Sequence, residues 1–152
     1  MTTVALLDTT ALIAPPAIVV HNIRSFVSST ICRAELALGV TLAQKRESGE
    51  ECRRRAVRLQ AYDDVDIWLP FDRDAANKYG SLAAPLALKV VIASHGTGRP
   101  RPHQRKDALI AAHAASLGLP VLTSNTADFR KLGVQTITAD QAATLINAAA
   151  NA

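Results

Sequence analysis

The feature that most constrains the fold is a helix-to-strand unit in the last third of the chain. An Ala-rich run after Asp107 predicts a helix, and Gly118, with a proline two positions on, is a typical helix stop. The apolar run 119–122 then predicts a buried strand, which leads into a polar tip and Asp128. The unit therefore fits an α/β sheet, and it carries a carboxylate at each end.

The two carboxylates of this unit suggest a divalent-metal site. The N-terminus of a helix and the end of a strand can meet at the carboxyl edge of an α/β sheet, where such sheets place their sites. Mg²⁺ and Mn²⁺ prefer carboxylate oxygens as ligands. The alternative is that Asp107 and Asp128 are both helix N-caps, a position that Asp favours, and taken alone this pair of acids does not decide between the two.

The start of the chain shows the same pattern. The run Val4–Leu7 predicts a strand that is buried on both faces and is therefore central and parallel, and Asp8 follows it directly. This position favours a site role for Asp8 over an N-cap. The Pro15-Pro16 pair is expected to interrupt the helix that begins near Thr10.

Residues 30–46 predict a long helix, because apolar residues repeat there every three or four positions. Glu35 falls beside Leu38 and Leu42, on the face that this pattern predicts to be buried. A buried carboxylate is costly unless a metal or a base compensates it. The residues four positions away on either side are Ile and Gly, so a helical ion pair is excluded and we predict a site role for Glu35.

Composition is consistent with one aliphatic-cored domain. The chain has 152 residues, of which 49% are hydrophobic but only 4% aromatic, so Ala, Val, Leu and Ile must build the core. We predict a single three-layer α/β/α domain over residues 1–147, with a central, mostly parallel sheet and a frayed tail at 148–152.

Several classes of protein are disfavoured by the sequence. The two cysteines have no metal-binding or redox spacing, the start of the chain has no basic leader pattern, and its early apolar run is too short to cross a membrane. We therefore expect a cytoplasmic protein without membrane association. His113, in the Ala-rich helix, is expected to be a packed or surface residue and not a catalyst. A phosphorelay receiver domain would need paired acids after the first strand, where only Asp8 stands.

The net charge of +4 permits a polyanionic partner without requiring one. The charged helix predicted at 50–64 is most simply a solvated face. The loop predicted at 95–106 is rich in Gly and Pro, and such a basic loop at the mouth of an acidic site suits a phosphate polymer, a merely solvated loop being the alternative. Its basic residues are Arg99, Arg101, Arg105 and Lys106.

Four acids are the strongest candidates for a common site: Asp8, Glu35, Asp107 and Asp128. In one cleft they would repel one another unless cations neutralised them. One or two Mg²⁺ or Mn²⁺ ions would do so while activating a water and stabilising a phosphodiester transition state. The residues alone thus indicate a metal-dependent α/β enzyme that acts on a phosphate ester.

Five segments, in the same order along the chain, resemble those of PIN domains. They are Leu6–Ile13, Ser29–Val40, a middle segment made of Leu69–Asp72 and Ala75–Gly80, then Asp107–Ala112 and Leu122–Phe129. Each segment alone is a weak signal, but together they cover nearly the whole chain. Length and arrangement are similar to those of the VapC-like toxins of type II toxin–antitoxin modules.

The resemblance implies an Mg²⁺- or Mn²⁺-dependent endoribonuclease, in which a water held by the metal attacks the phosphorus and leaves a 5′-phosphate. It maps the acidic quartet onto the four acids named above, with Asp8 and Asp107 as principal metal ligands and Glu35 and Asp128 completing the site. Thr9 and Asn125 are expected to add polar contacts.

The resemblance also implies partners: an RNA substrate, a cognate antitoxin protein and a second copy of the chain in a homodimer. The Pro15-Pro16 pair interrupts the segment that forms much of the partner-binding face in the family. The alternative function is a catalytically inactive PIN-like module that binds RNA or protein. A complete acidic quartet argues against it, because clustered acids without a metal destabilise a fold.

Overall fold

The computed structural model describes the backbone of residues 2–46, 48–94 and 102–151, and the side chains of these ranges apart from 86–94 and 102–104. Within them, five parallel strands form one sheet in the order β3-β2-β1-β4-β5. The strands are β1 (Ala5–Leu7), β2 (Phe26–Ser29), β3 (Trp68–Leu69), β4 (Val121–Leu122) and β5 (Thr136–Ile137). The first strand is central and all three of its residues are buried, as its apolar run predicts.

Helices flank this sheet and confirm the predicted α/β class. They are α1 (Thr9–Ile13), α2 (Ala17–His21), α3 (Thr30–Arg46), α4 (Gly49–Val65), α5 (Arg73–Ser94), α6 (Pro102–Leu117), α7 (Thr126–Lys131) and α8 (Ala139–Ala150). Pro16 is the N-cap residue of α2, so the proline pair separates two short helices, as expected. The predicted bounds of α3 are confirmed.

Other helix ends differ from the predictions. The sequence predicts a helix over 75–87 and leaves open whether the apolar stretch 88–92 prolongs it or begins a new one; α5 runs on to Ser94 with Pro85 inside it, so the stretch prolongs the helix. Helix α6 begins at Pro102, so residues 102–106 are helical and not part of a loop, whereas 95–101 lie outside the described residues. Proline suits the first turn of a helix, where its missing N–H has no partner to lose.

The N-cap of the last helix lies two residues before Asp140, the residue predicted to cap a helix over 141–147. Thr138, not Asp140, is the N-cap of α8, and its hydroxyl accepts the N–H of Gln141 at 3.2 Å. The side chain of Gln141 accepts the N–H of Thr138 at 2.9 Å, which completes a capping box. The helix extends to Ala150, three residues beyond the predicted end at Asn147.

The core is aliphatic, with a few aromatic side chains. Small residues of α6 let this helix approach the sheet closely: four of its alanines (Ala108, Ala111, Ala112 and Ala114) are at most 1% exposed. His113 on the same helix is also buried, with Nδ1 2.9 Å from Ser29 Oγ and its ring edge-on to Phe71. The expectation that His113 is a packed residue is therefore confirmed.

The prediction of which face of α3 is buried is wrong. Leu38 is 58% exposed and Leu42 is 37% exposed, whereas Cys32 and Ala43 are buried. Apolar residues lie nearly all round this helix, so spacing alone does not identify the face that meets the rest of the domain. Glu35 stands at the border of these faces and is half-buried.

Candidate active site

Asp8 lies at the carboxyl end of the central strand and is held there by the local backbone. It is 3% exposed and serves as the N-cap of α1, where Oδ1 accepts the N–H of Ala11 at 2.9 Å. The N-cap and the site interpretations of Asp8 are therefore compatible. Its backbone N–H also bonds to Leu122 O at 3.4 Å, which ties this edge of β1 to β4.

Two threonine hydroxyls complete the surroundings of Asp8. Thr123 Oγ1 donates to Oδ2 at 2.6 Å, and Thr10 Oγ1 donates to both carboxylate oxygens at 2.9 and 3.0 Å. Burial raises the pKa of the Asp8 carboxyl, and these hydrogen bonds, led by that of Thr123, oppose the rise. The carboxylate is thus oriented by groups that stabilise its charged form.

Neither threonine was predicted as part of the site, although each lies within three residues of the end of an apolar strand. Leu122 pairs with Leu7 in the parallel register, so the residues that follow each, Thr123 and Asp8, emerge side by side at the same edge. The register itself could not be read from the sequence.

Glu35 reaches the same edge of the sheet from α3. Thr9 donates its hydroxyl to Oε2, and the ammonium of Lys106 forms an ion pair with Oε1. The predicted compensation of a half-buried acid by a base is therefore found, with Lys106 as the base. Oε1 is buried and receives no hydrogen bond, so within the described part of the chain its charge is compensated by the ion pair with Lys106. The Glu35 side chain is only 15% exposed.

Asp107 lies in the second turn of α6, because the helix begins at Pro102. The N-cap alternative is therefore wrong for this residue. Among the described residues, no group donates a hydrogen bond to its carboxylate. Burial, together with repulsion from Asp128, Asp8 and Glu35, raises the pKa of the Asp107 carboxyl.

Asp128 completes the group from the first turn of α7, where Asn125 and not Asp128 is the N-cap residue. Asn125 Nδ2 donates to Asp128 Oδ2 at 3.1 Å, as expected of a polar support. Lys131 Nζ pairs with Oδ1 at 2.9 Å in a solvent-exposed ion pair. Four separate elements thus bring the four predicted acids within electrostatic reach of one another, whereas their roles stay a prediction.

The donor chemistry of this group fits Mg²⁺ or Mn²⁺, since all four side chains offer carboxylate oxygens and one buried oxygen of Glu35 receives no hydrogen bond. As they stand, no three His, Cys, Asp or Glu side chains of the described residues are arranged to hold an ion. Two of the four carboxylates are engaged by lysines, Glu35 by Lys106 and Asp128 by Lys131. Metal binding would therefore have to compete with these lysines.

The predicted RNA contacts are only partly described. Arg99 and Arg101 lie outside the described residues, and Arg105 is exposed on the first turn of α6. Lys106, which is predicted to contact RNA, forms the ion pair with Glu35. Its side chain is still 51% exposed, so it lies between the acids and solvent.

A cleft of about 460 Å³ opens beside Thr9 and Glu35 and was not expected. Its far wall is the face of α4 that carries Arg54, Arg55 and Arg58. The charged face that was predicted to be solvated therefore also lines this cleft, and Arg54 on it is exposed. Helix α3 packs against α4, and this packing turns the arginines toward the candidate site.

Solved structures with the same fold include toxin–antitoxin complexes. A member of the VapBC family of toxin–antitoxin systems, VapBC-5 from Mycobacterium tuberculosis, matches with 28% identity over 90% of this chain and 95% of that chain, at a TM-score of 0.64. FitAcB from Neisseria gonorrhoeae matches with 28% identity over 88% and 96%, at a TM-score of 0.60. DNA-bound VapBC from Salmonella typhimurium is 24% identical over 91% and 98%, at a TM-score of 0.66, which shows the fold alone. No protein-family model matches the sequence, and no curated protein does.

Proposed function

We propose that this chain, a VapC-like PIN domain by the solved structures that it matches, is a metal-dependent endoribonuclease and the toxin of a toxin–antitoxin pair. The expected resemblance to this family is confirmed, and the nuclease activity is our inference from it. The observation that carries the inference is the convergence of four carboxylates from four elements at the carboxyl edge of the sheet. Burial and, after it, repulsion from the other three acids raise the pKa of Asp107, and a cation relieves such repulsion.

We assign Asp8 and Asp107 as the principal ligands of one or two Mg²⁺ or Mn²⁺ ions, with Glu35 and Asp128 completing the site. When bound, such an ion supplies Lewis-acid activation of the phosphodiester and of the attacking water. The chain's own groups orient the ligands: Thr10 and Thr123 fix the carboxylate of Asp8.

The remaining acids are oriented in the same way. Thr9 holds Glu35 and Asn125 holds Asp128. The ammonium of Lys106 stands at the edge of the acids, where it can pass from Glu35 to a phosphate oxygen of the RNA. In the proposed reaction, Lys106 therefore helps to neutralise the substrate.

The test is cleavage of a mixed RNA pool by the purified chain, with Mg²⁺ or Mn²⁺ and with a chelator. Asp107→Asn should abolish metal-dependent cleavage while the protein stays folded. The matched control is Asp74→Asn, which removes one exposed carboxylate in the first turn of α5, away from the site. Cleavage by Asp107→Asn at the wild-type rate would rule out the assigned site. Absence of cleavage with any metal, with tight RNA or partner binding retained, would favour the inactive binding module.

An apolar groove supports the proposed antitoxin partner. The groove has a volume of about 250 Å³ and lies between α2 and α4. Its apolar lining is Pro15, Val19, Val20, Ile23, Ala61, Tyr62 and Val65. Pro15 of the proline pair thus forms part of the wall of this groove, and Val20 leaves 58% of its surface exposed. We expect an apolar segment of the antitoxin to bury this groove.

The exposed face of α3 supports the proposed homodimer. Leu38 and Leu42 line a shallow cleft of about 370 Å³ that also includes Lys106. A second copy of the chain would bury these leucines. Leu38→Glu should shift the purified protein from dimer to monomer in sedimentation, whereas Val57→Glu, on α4 and 62% exposed, should not. Equal behaviour of the two variants would contradict this assignment of the face.

None of the helices within the described ranges combines the length and the apolar character that a membrane crossing requires.

A further inference from the structure

The wall of α4 that faces Thr9 and Glu35 carries a concentration of positive charge. Arg54, Arg55 and Arg58 fall at helical spacings of three and four, so they share one face of the helix with Glu51. This wall therefore carries three guanidinium groups and one carboxylate. We call the space between this wall and Thr9 the arginine cleft.

Glu51 and the backbone hold two of these arginines in place. Arg55 Nε donates to Glu51 Oε1 at 2.7 Å, and Arg55 Nη1 donates to Gly39 O at 3.1 Å. Arg54 Nη2 lies 2.5 Å from Glu51 Oε2, although its side chain is 66% exposed. A guanidinium fixed in this way loses little conformational freedom when it binds an anion.

Arg58 differs from its neighbours. It lines the cleft but forms no ion pair within the described part of the chain. It also lines the neighbouring apolar groove, where the α2 and α4 side chains meet. Its charge is therefore available to an anionic ligand in the cleft.

We propose that the arginine cleft binds the phosphodiester backbone of the RNA strand next to the cleaved phosphate. The proposal rests on the proposed nuclease function, because Thr9 and Glu35 belong both to this cleft and to the candidate active site. A strand whose phosphate lies at the carboxylates and that continues past Thr9 meets the three arginines next. Guanidinium groups bind phosphate oxygens in a planar, two-pronged geometry that suits such a backbone.

The lining of the cleft favours a nucleic-acid strand over an acidic protein segment. Apart from Ile13 and Leu36, its side chains are polar or charged. The apolar anchors that a protein segment would use lie in the separate groove between α2 and α4. The charge and polarity of the arginine cleft therefore match a ligand that presents phosphates and little apolar surface.

The test compares two arginines on the same helix. Arg58→Gln and Arg53→Gln each remove one positive charge from α4, but Arg53 is exposed and does not line the cleft. Binding of a fluorescent single-stranded RNA pool is measured by anisotropy, in chelator so that no cleavage occurs, over a range of salt concentrations. We expect Arg58→Gln to lower the slope of log K against log salt by about 0.7, the value for one lost phosphate contact to a single strand. Arg53→Gln should leave this slope unchanged.

Two results would overturn the proposal. One is a slope of log K against log salt that changes equally in Arg58→Gln and Arg53→Gln, or does not change in Arg58→Gln, while the thermal stability of both variants is that of the wild type. The other is loss of binding to a fluorescent polyglutamate peptide in Arg58→Gln with RNA binding intact, which would assign the cleft to a protein. Because binding is measured without cleavage, the outcome is separate from that of the nuclease test. Absence of cleavage by the wild type would refute the proposed function alone, and equal slopes would refute the arginine cleft alone.

Discussion

The hydroxyl of Thr123 should be the most important single support of the Asp8 carboxylate. Thr123 is 7% exposed, donates to Asp8 Oδ2 at 2.6 Å and accepts the backbone N–H of Asn125 at 2.9 Å. Thr123→Val keeps the shape of the side chain and removes only the hydroxyl. Thr10→Val is the matched comparison, because Thr10 donates to the same carboxylate but is exposed.

The expected difference follows from burial. A hydrogen bond to a charged group contributes about 1.5–3 kcal/mol, and a buried acceptor that loses its donor does not regain it from water. We therefore expect Thr123→Val to lower the free energy of unfolding by about 2 kcal/mol, or the melting temperature by about 4–8 °C for a chain of this size. At Thr10, water replaces the lost hydroxyl, and the loss should be about 0.5–1 kcal/mol.

The assay is urea unfolding followed by circular dichroism, in chelator so that divalent ions do not contribute. The dependence of the free energy on urea should be the same for all three proteins, since neither substitution changes the surface exposed on unfolding. A loss in Thr123→Val that is no larger than that in Thr10→Val would refute the argument. It would mean that the surroundings of Asp8 do not depend on the buried hydroxyl.

Three further predictions concern single positions. Burial lowers the pKa of His113, so its contribution to stability is present above about pH 6.5 and is lost as the pH falls below that value. His113→Asn should therefore flatten the pH dependence of the free energy of unfolding below about pH 6.5, and an unchanged slope would contradict this. Lys106→Gln should raise the affinity for Mn²⁺ several-fold in titration calorimetry, because it frees Glu35, and a weaker affinity would show that the lysine does not compete. Gly118→Ala should lower the free energy of unfolding by about 1–2 kcal/mol, because φ is +66° there. Gly80→Ala, within α5, should raise the free energy of unfolding by up to about 1 kcal/mol, because alanine favours a helix more than glycine does. The opposite order of the two variants in denaturant unfolding would contradict the backbone conformations at these positions.

The fold could be predicted from the sequence where local signals and the tertiary structure agree. The central strand is a short apolar run that ends in Asp8, and this alone indicates a buried parallel strand and the edge at which its acid lies. Helix α3 was predicted in its bounds but not in its orientation, since apolar residues surround it. Helix α6 was predicted too short because Gly and Pro in the preceding stretch were interpreted as a loop up to residue 106.

The site could be predicted as a set of acids but not as a set of contacts. Residue type and position after a strand identify Asp8, whereas the roles of Thr123 and Lys106 depend on which strands and helices are neighbours. Thr123 meets Asp8 because β4 pairs with β1 in a particular register. Lys106 meets Glu35 because α6 packs near α3, which no local pattern specifies.

The stability of variants at Asp107 and Asp8 distinguishes an acid that the fold needs from one that it does not need. Asp8 caps α1 and accepts several hydrogen bonds, so the fold depends on its carboxylate. Asp107 lies inside α6, has no capping role, and is repelled by three other acids. In chelator, Asp107→Asn should therefore unfold at a urea concentration equal to or above that of the wild type, whereas Asp8→Asn should unfold earlier. If Asp107→Asn instead proved as destabilising as Asp8→Asn, Asp107 would be needed by the fold, and its presence would no longer favour a catalytic site.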